Sequence, residues 1–295
     1  MIFLRKTKII IFVAIALLLT CAANAGETHP NTLWRVSAGN NTVYLLGSIH
    51  VLKGGDDILN GPMRKAFNDS QILVFEVDLK EMASPNAQQT ILAKGMLPAG
   101  DSLEKMINKE TYELAKAKTE ELGLDITAFS QFKPWFFIMT LSVFKLNMLG
   151  FSSQNGIDTL LYSKATQSGK KVLGLETFEQ QMDMLDTMSK IDQDELVRQA
   201  IQDLDVLEEE LDTILNAWST GDMDKLEATI LKSFKEFPDI YRVIITERNK
   251  KWIKRIESFL GEKENHMLVV GAAHLAGKNG LVELLKKKGY SVVQL

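Results

Sequence analysis

The chain is short of thiol and imidazole: 295 residues contain one cysteine and four histidines. Cys21 lies within the leader read below, so the rest of the chain has no disulfide and no thiol; a thiol protease and a cysteine-ligated metal are excluded. There is no fixed-period repeat and no low-complexity linker, which argues against solenoids and disordered tethers. A basic excess is lacking too, with 34 basic and 38 acidic residues for a net charge of −4. A phosphate-tracking surface needs the opposite balance, so nucleic acid is not an expected partner. Lys286 to Lys288 stand just before Gly289, where cations complement the exposed carbonyls of a helix end.

Only one long apolar run opens the chain, Ile9 to Leu19, preceded by Arg5, Lys6 and Lys8 and followed by Ala23-Asn24-Ala25. That is the pattern of a secretory signal cleaved after Ala25, with an exported, periplasmic product. Eleven residues fall short of the roughly 20 that span a bilayer, so no stable membrane insertion of the mature chain is expected. Lipid anchoring at Cys21 is disfavoured by Thr20 before it. Without the leader, 31 basic residues face 38 acidic ones, a balance of −7.

Over 26–295 the pattern predicts an α/β domain: a central mixed sheet flanked by helices, with a helical insertion over 85–165. Leu33–Val36 and Thr42–Leu46 flank the turn residues SAGNN and predict a hairpin. Pro62 suits the first turn of a short helix through Phe67, and ILVF (72–75) is a buried strand ending in Glu76. Asp101 and Glu104 have capping-box spacing, opening a helix with Tyr112, Ala115, Thr119 and Leu122 on one face, stopped by Gly123. Pro134 opens an apolar helix, residues 135–149, interrupted by Lys145 and Asn147 and read as core rather than membrane. A further helix runs through Leu160–Ala165. KVLGL (171–175) is a strand closing on Glu176, and Thr177 with Gln180 forms a second capping box. Asp192 and Glu195 open a long acidic helix expected to be mostly solvated.

The notable feature is a device used twice. VYLLGSIH (43–50) and MLVVGAAH (267–274) each run an apolar strand into a glycine, Gly47 or Gly271, and then into a histidine three residues on, His50 or His274. With Glu76 and Glu176, four strands deliver an ionisable residue at or just past their C-terminal ends, the edge at which parallel sheets bind ligands. Two imidazoles with one or two carboxylates make a ligand set for a divalent ion such as Zn, Mn or Co. One GxxH alone is commonly a hydrogen-bonded loop histidine; the repetition favours a shared site. His29 and His266 lack that context. On the stretch 241–259, Tyr241, Ile245, Trp252, Ile256 and Phe259 form an apolar stripe that also holds Arg248, which calls for an anion: a structural salt bridge, or a clamp on a substrate carboxylate or oxyanion. Asp158 is the candidate partner of Arg248, or else the cap of the helix that follows it.

The ordered blocks LWRV…VYLLGSIHVL, AFNDSQILVFEVDL, GID, GLETFEQQ, ERNKKW and VVGAAHLAGKNGLVELLKKKGYSVV resemble the TraB/GumN family, related to the Tiki proteases and more distantly to erythromycin-esterase-like and ChaN-like proteins. The resemblance implies an α/β fold whose paired GxxH motifs form a metal-dependent hydrolytic site. In it His50, His274 and Glu76 would hold a divalent metal, Glu176 would act as base, with the roles of the two glutamates open to exchange, and Arg248 would steady an oxyanion or anchor a carboxylate. An exported peptidase acting on a peptide or small-molecule substrate is the expected function. The alternative is a non-enzymatic pocket that sequesters a secreted peptide or haem, with Met139 and Met148 lining a haem slot.

Overall fold

The computed structural model describes residues 32–38, 41–54, 59–235 and 237–295. The expected leader, with Cys21 and the cleavage position, lies outside the described residues, as does His29. Among the described residues there are eight strands: β1 (Leu33–Ala38), β2 (Asn41–Ser48), β3 (Leu52–Lys53), β4 (Ile72–Phe75), β5 (Phe151–Ser152), β6 (Lys171–Gly174), β7 (His266–Gly271) and β8 (Ser291–Gln294). Six form one mixed sheet in the order β6-β4-β7-β2-β1-β8, and β3 pairs with β5 apart from it. Neighbours from β6 to β2 are parallel, whereas β1 runs antiparallel to both β2 and β8.

The sheet is central because β4 and β7 are buried at every residue, and continuous apolar runs are what a strand covered on both faces requires. Alternation divides those residues between two cores. Leu46, Leu73, Phe75, Met267 and Val269 pack on one side with helices 134–148 and 193–219. Leu45, Ile72, Val74, Leu268 and Val270 pack on the other with Trp252, Ile256, Leu281 and Leu285. The expected α/β architecture, a mixed sheet with helices on its faces, is the one observed.

Several local expectations change on folding. Between β4 and β6 the elements from Leu79 to Gln167 are all helical except for the short β5, so the helices extend beyond the 85–165 segment on both sides. The single helix expected after Asp101 is split: Ser102 precedes a four-residue turn of helix, and Asn108 caps Lys109–Glu121 by accepting from the Thr111 N–H. Thr177 and Gln180 do form a capping box. The apolar helix spans Pro134–Met148 and buries Trp135, Phe137, Ile138, Leu141 and Leu146. Among the described residues no helix is long and apolar enough to cross a membrane.

The long helix, Gln193–Ser219, is not mostly solvated. Its Leu196, Ala200, Leu204, Leu207, Leu211 and Leu215 form a buried stripe, and even Asp203 and Glu210 are covered. Its acidic residues disguise an amphipathic core helix, because the apolar residues recur at helical spacing between them.

His266 opens β7 at the edge opposite the GxxH histidines. Its ring stacks on Phe259 with centroids 4.5 Å apart, Nδ1 lies 2.9 Å from the Glu264 carbonyl, and Glu262 stands 3.3 Å from Nε2, out of hydrogen-bond geometry. Burial pushes its pKa below the usual 6.5, helped by Lys171, against the opposing pull of Glu262 and Glu264. The unfolded chain therefore takes up this proton first, so stability falls with pH from about 6.5 until the folded ring also protonates. Urea melts at about pH 7.5 and about pH 5.5 should show a smaller loss of stability for His266→Phe than for the wild type. Equal losses in the two proteins would remove His266 from the pH response.

Candidate active site

Parallel pairing of β6, β4, β7 and β2 puts their C-terminal ends at one edge, with Phe75 level with both Val269 and Gly174, and Ser48 level with Gly271. Glu76 follows β4 directly, His50 and Glu176 lie two residues past β2 and β6, and His274 lies three past β7. Arg248 comes from the opposite layer. It begins helix Arg248–Leu260 directly after a π-helical stretch, Arg242–Glu247, and the Ile244 carbonyl accepts from its Nη1 at 3.2 Å. Such stretches re-aim the residues that follow them.

The two GxxH glycines serve each other's motif. A Cβ on Gly47 would stand 3.1 Å from both Cα and Cβ of Ala272, inside the second motif. A Cβ on Gly271 would stand 3.1 Å from His50 Nε2 and 3.3 Å from Glu76 Oε1. Each strand end thus makes room for the other's loop. The Gly47 carbonyl also accepts from Trp218 Nε1 at 2.8 Å, tying the end of the long helix to the site.

The polar network centres on Arg248, whose side chain is 7% exposed. Its Nη2 donates to Glu76 Oε2 and, at 2.7 Å, to Glu176 Oε1; Nε donates to Glu176 at 3.1 Å; Nη1 lies 3.0 Å from His274 Nε2. The Gly271 N–H donates to Glu76 Oε1 at 2.8 Å. Trp252 lies under both the guanidinium, 4.5 Å to the ring centroid, and the His274 ring at 4.4 Å. His50 Nδ1 is 3.3 Å from Asp158 Oδ2.

Asp158 therefore belongs to His50 and not to Arg248, whose anions are Glu76 and Glu176. Nor does it cap its helix: it sits in the first turn of Ile157–Gln167, with Gly156 at the cap. Gly156 is obligatory there, since a Cβ would fall 2.2 Å from the His50 carbonyl, and the Ile157 N–H donates to Ile49 O. Gly156, Trp218 and Asn249 are site residues that the sequence reading did not single out. Only the NGID and ERN segments, quoted as blocks, pointed near two of them. Met139 and Met148 stand nine positions apart and so face opposite sides of their helix, with Met148 59% exposed; they do not line one slot.

The charges are split by environment. Burial would raise the Glu76 carboxyl, but Arg248, His274, His50 and the Gly271 N–H hold it well below the usual carboxylate range. Burial raises Glu176, and Arg248 only partly offsets this. Burial acts to lower His50, yet the Asp158 and Glu76 carboxylates hold it up to about 9. Burial and Arg248 bring His274 down to about 3 against the pull of Glu76. Two acids and two imidazoles are thus each divided into a charged and a more readily neutral member, the arrangement acid–base chemistry uses.

Among the described residues no group of three His, Cys, Asp or Glu is drawn close enough to constitute a metal centre as it stands. The donor set nevertheless fits a divalent ion. His50 Nε2 and His274 Nε2 each lie 3.8 Å from the same Glu76 Oε1, near the roughly 3.4 Å between neighbouring ligands of a tetrahedral ion. A Cβ on Gly271 would crowd His50 Nε2 and Glu76 Oε1, so its absence lets both groups close on this strand end. Each histidine's Nδ1 is held from behind, by Asp158 or by Asn249, as ligating imidazoles are. His50 would give up its proton to ligate, and His274 Nε2 would exchange Arg248 for the ion.

The glycine interlock makes a stability prediction. Gly47→Ala should cost about 1–3 kcal/mol in urea denaturation, because its methyl meets Ala272 backbone that cannot rotate away. Gly271→Ala meets side-chain atoms, so it should cost less and displace the His50 ring instead. The reverse ranking would contradict the interlock.

With this geometry in place, comparison with known proteins is informative. The chain is 26% identical over 251 residues to the uncharacterised protein YbaP of Escherichia coli, covering 84% of this chain and 89% of that one. It is 23% identical to a Metalloprotease TIKI homolog of Amphimedon queenslandica and 21% identical to Metalloprotease TIKI1 of Danio rerio. These matches cover 93% and 92% of this chain but only 63% and 65% of the relatives. No solved structure matches. The model of the TraB/PrgY/gumN family matches residues 32–294, from the first described strand to the last, and the chain belongs to that family.

Proposed function

We propose that the chain is an exported metal-dependent hydrolase that cleaves peptides, working at the edge where β2, β4, β6 and β7 end. The observation that carries this reading is the convergence of two imidazole Nε2 atoms on one oxygen of Glu76, at a strand end where Gly271 permits their close approach. The metalloprotease relatives support the reaction class. The leader pattern in residues 5–25 supports export to the periplasm.

His50, His274 and Glu76 would hold the ion, which supplies Lewis-acid polarisation of the scissile carbonyl and lowers the pKa of the attacking water. The two glutamates divide the remaining work. Glu76 is pinned by Arg248 and the Gly271 N–H and stays ionised, as a ligand must. Glu176 has the raised pKa of a general base and takes the proton of the water. Arg248 keeps both acids in place; all five of its N–H bonds are directed at Glu76, Glu176, His274 or Ile244 O, so contact with a substrate oxyanion requires releasing one of them. His50, at 30% side-chain exposure the most open member, faces the incoming substrate.

Elemental analysis of the purified wild type should find about one equivalent of divalent metal, lost in His50→Ala and in His274→Ala. Unchanged metal content in both variants would refute the assignment. Glu176→Gln should retain the metal and lose about 10²- to 10⁴-fold in kcat in a peptide-cleavage screen. An unimpaired Glu176→Gln would exclude it as the base.

A further inference from the structure

Asn249 is fully buried beside Arg248, and its side-chain amide is completely committed. Nδ2 donates to the His274 carbonyl at 3.0 Å and to the Asn279 carbonyl at 2.8 Å. Carbonyl oxygens only accept, so these two bonds fix which way the amide points. Oδ1 is then the atom 2.7 Å from His274 Nδ1, and that ring nitrogen must carry the hydrogen. The other side of the ring gives the same answer independently. Arg248 Nη1 can only donate and lies 3.0 Å from Nε2, which must therefore present a lone pair.

We propose that Asn249 is a positioning residue that locks His274 in the tautomer with hydrogen on Nδ1, leaving on Nε2 the lone pair that accepts from Arg248, 3.8 Å from Glu76 Oε1. It touches no reacting atom and acts only through the ring. The two GxxH histidines are thereby set to different states by what stands behind them: a carboxylate, Asp158, behind His50, and a neutral amide behind His274. The amide also suits the site because a carboxylate at 249 would turn its oxygens on the His274 and Asn279 carbonyls. The strand-end loop 274–279 is tied to helix Arg248–Leu260 by the same side chain, so ring orientation and loop position are fixed together. The consequence for metal affinity rests on the hydrolase reading, whereas the tautomer does not.

The experiment uses full-length protein with ¹⁵N-labelled histidine, stripped with chelator, and reads the ring nitrogens by long-range ¹H–¹⁵N NMR, His274 being assigned by its absence in His274→Ala. The wild type should show a protonated, slowly exchanging Nδ1 with a cross-peak to the Asn249 amide, and an unprotonated Nε2. Asn249→Leu and Asn249→Ala should lose that single signature and bind Zn²⁺ about 10- to 100-fold more weakly in competition with a chromophoric chelator. Hydrogen on Nε2 in the wild type would overturn the proposal even if neither variant folds, and so would a folded variant with unchanged His274 signals. A wild type that keeps the signature yet binds no Zn²⁺ would uphold the lock and count against the hydrolase reading alone.

Discussion

The site depends on one buried cation. Arg248 stands between Glu76 and Glu176, and its guanidinium bonds both carboxylates, the Ile244 carbonyl and an imidazole at once. Without it two acids would share a covered space with only His50 as counter-charge, and removing one member of a buried ion pair typically costs about 3–5 kcal/mol. The fixed fork of arginine matters as much as its charge, since an ammonium could not hold two carboxylates and an imidazole in one plane. The π-helical stretch before it and Trp252 beneath it set that plane.

Around this cation the scaffold is a matter of backbone approach. Parallel pairing brings four strand ends to one edge, but proximity of strands is not proximity of side chains. Gly47 and Gly271 close the last few ångströms, each by omitting a Cβ that the other motif would meet. Gly156 does the same for the loop that carries Asp158. The site is therefore built where backbones touch, and loop length alone would not produce it.

Much of this was legible in the sequence because the signals were local. An apolar strand followed at once by an ionisable residue can be read wherever it occurs, and finding four of them placed His50, Glu76, Glu176 and His274 at one edge before any coordinates. Arg248 was legible as a cation on an apolar stripe. The pairing within the cluster was not. Asp158 was matched to Arg248 on charge alone, whereas loop geometry gives it to His50. Asn249 was missed because a buried amide has no periodic signature, and its neighbours Lys250 and Lys251 make the segment read as surface. The helix Gln193–Ser219 was misjudged because its acidic residues outweigh, in a composition count, the leucines that recur between them.

The order of strands in the sheet carries a last implication. β7 lies between β4 and β2, although it follows both of them by a long stretch of chain. Until residues 266–271 are available, β2 and β4 have no strand between them, and each offers an open edge to whatever can pair with it. A nascent or truncated polypeptide ending before that segment lacks the second histidine and the spacer that sets its two halves at working distance. Closure of the sheet and assembly of this edge therefore wait on the same contact between segments far apart in sequence, the kind of pairing that forms slowly in folding.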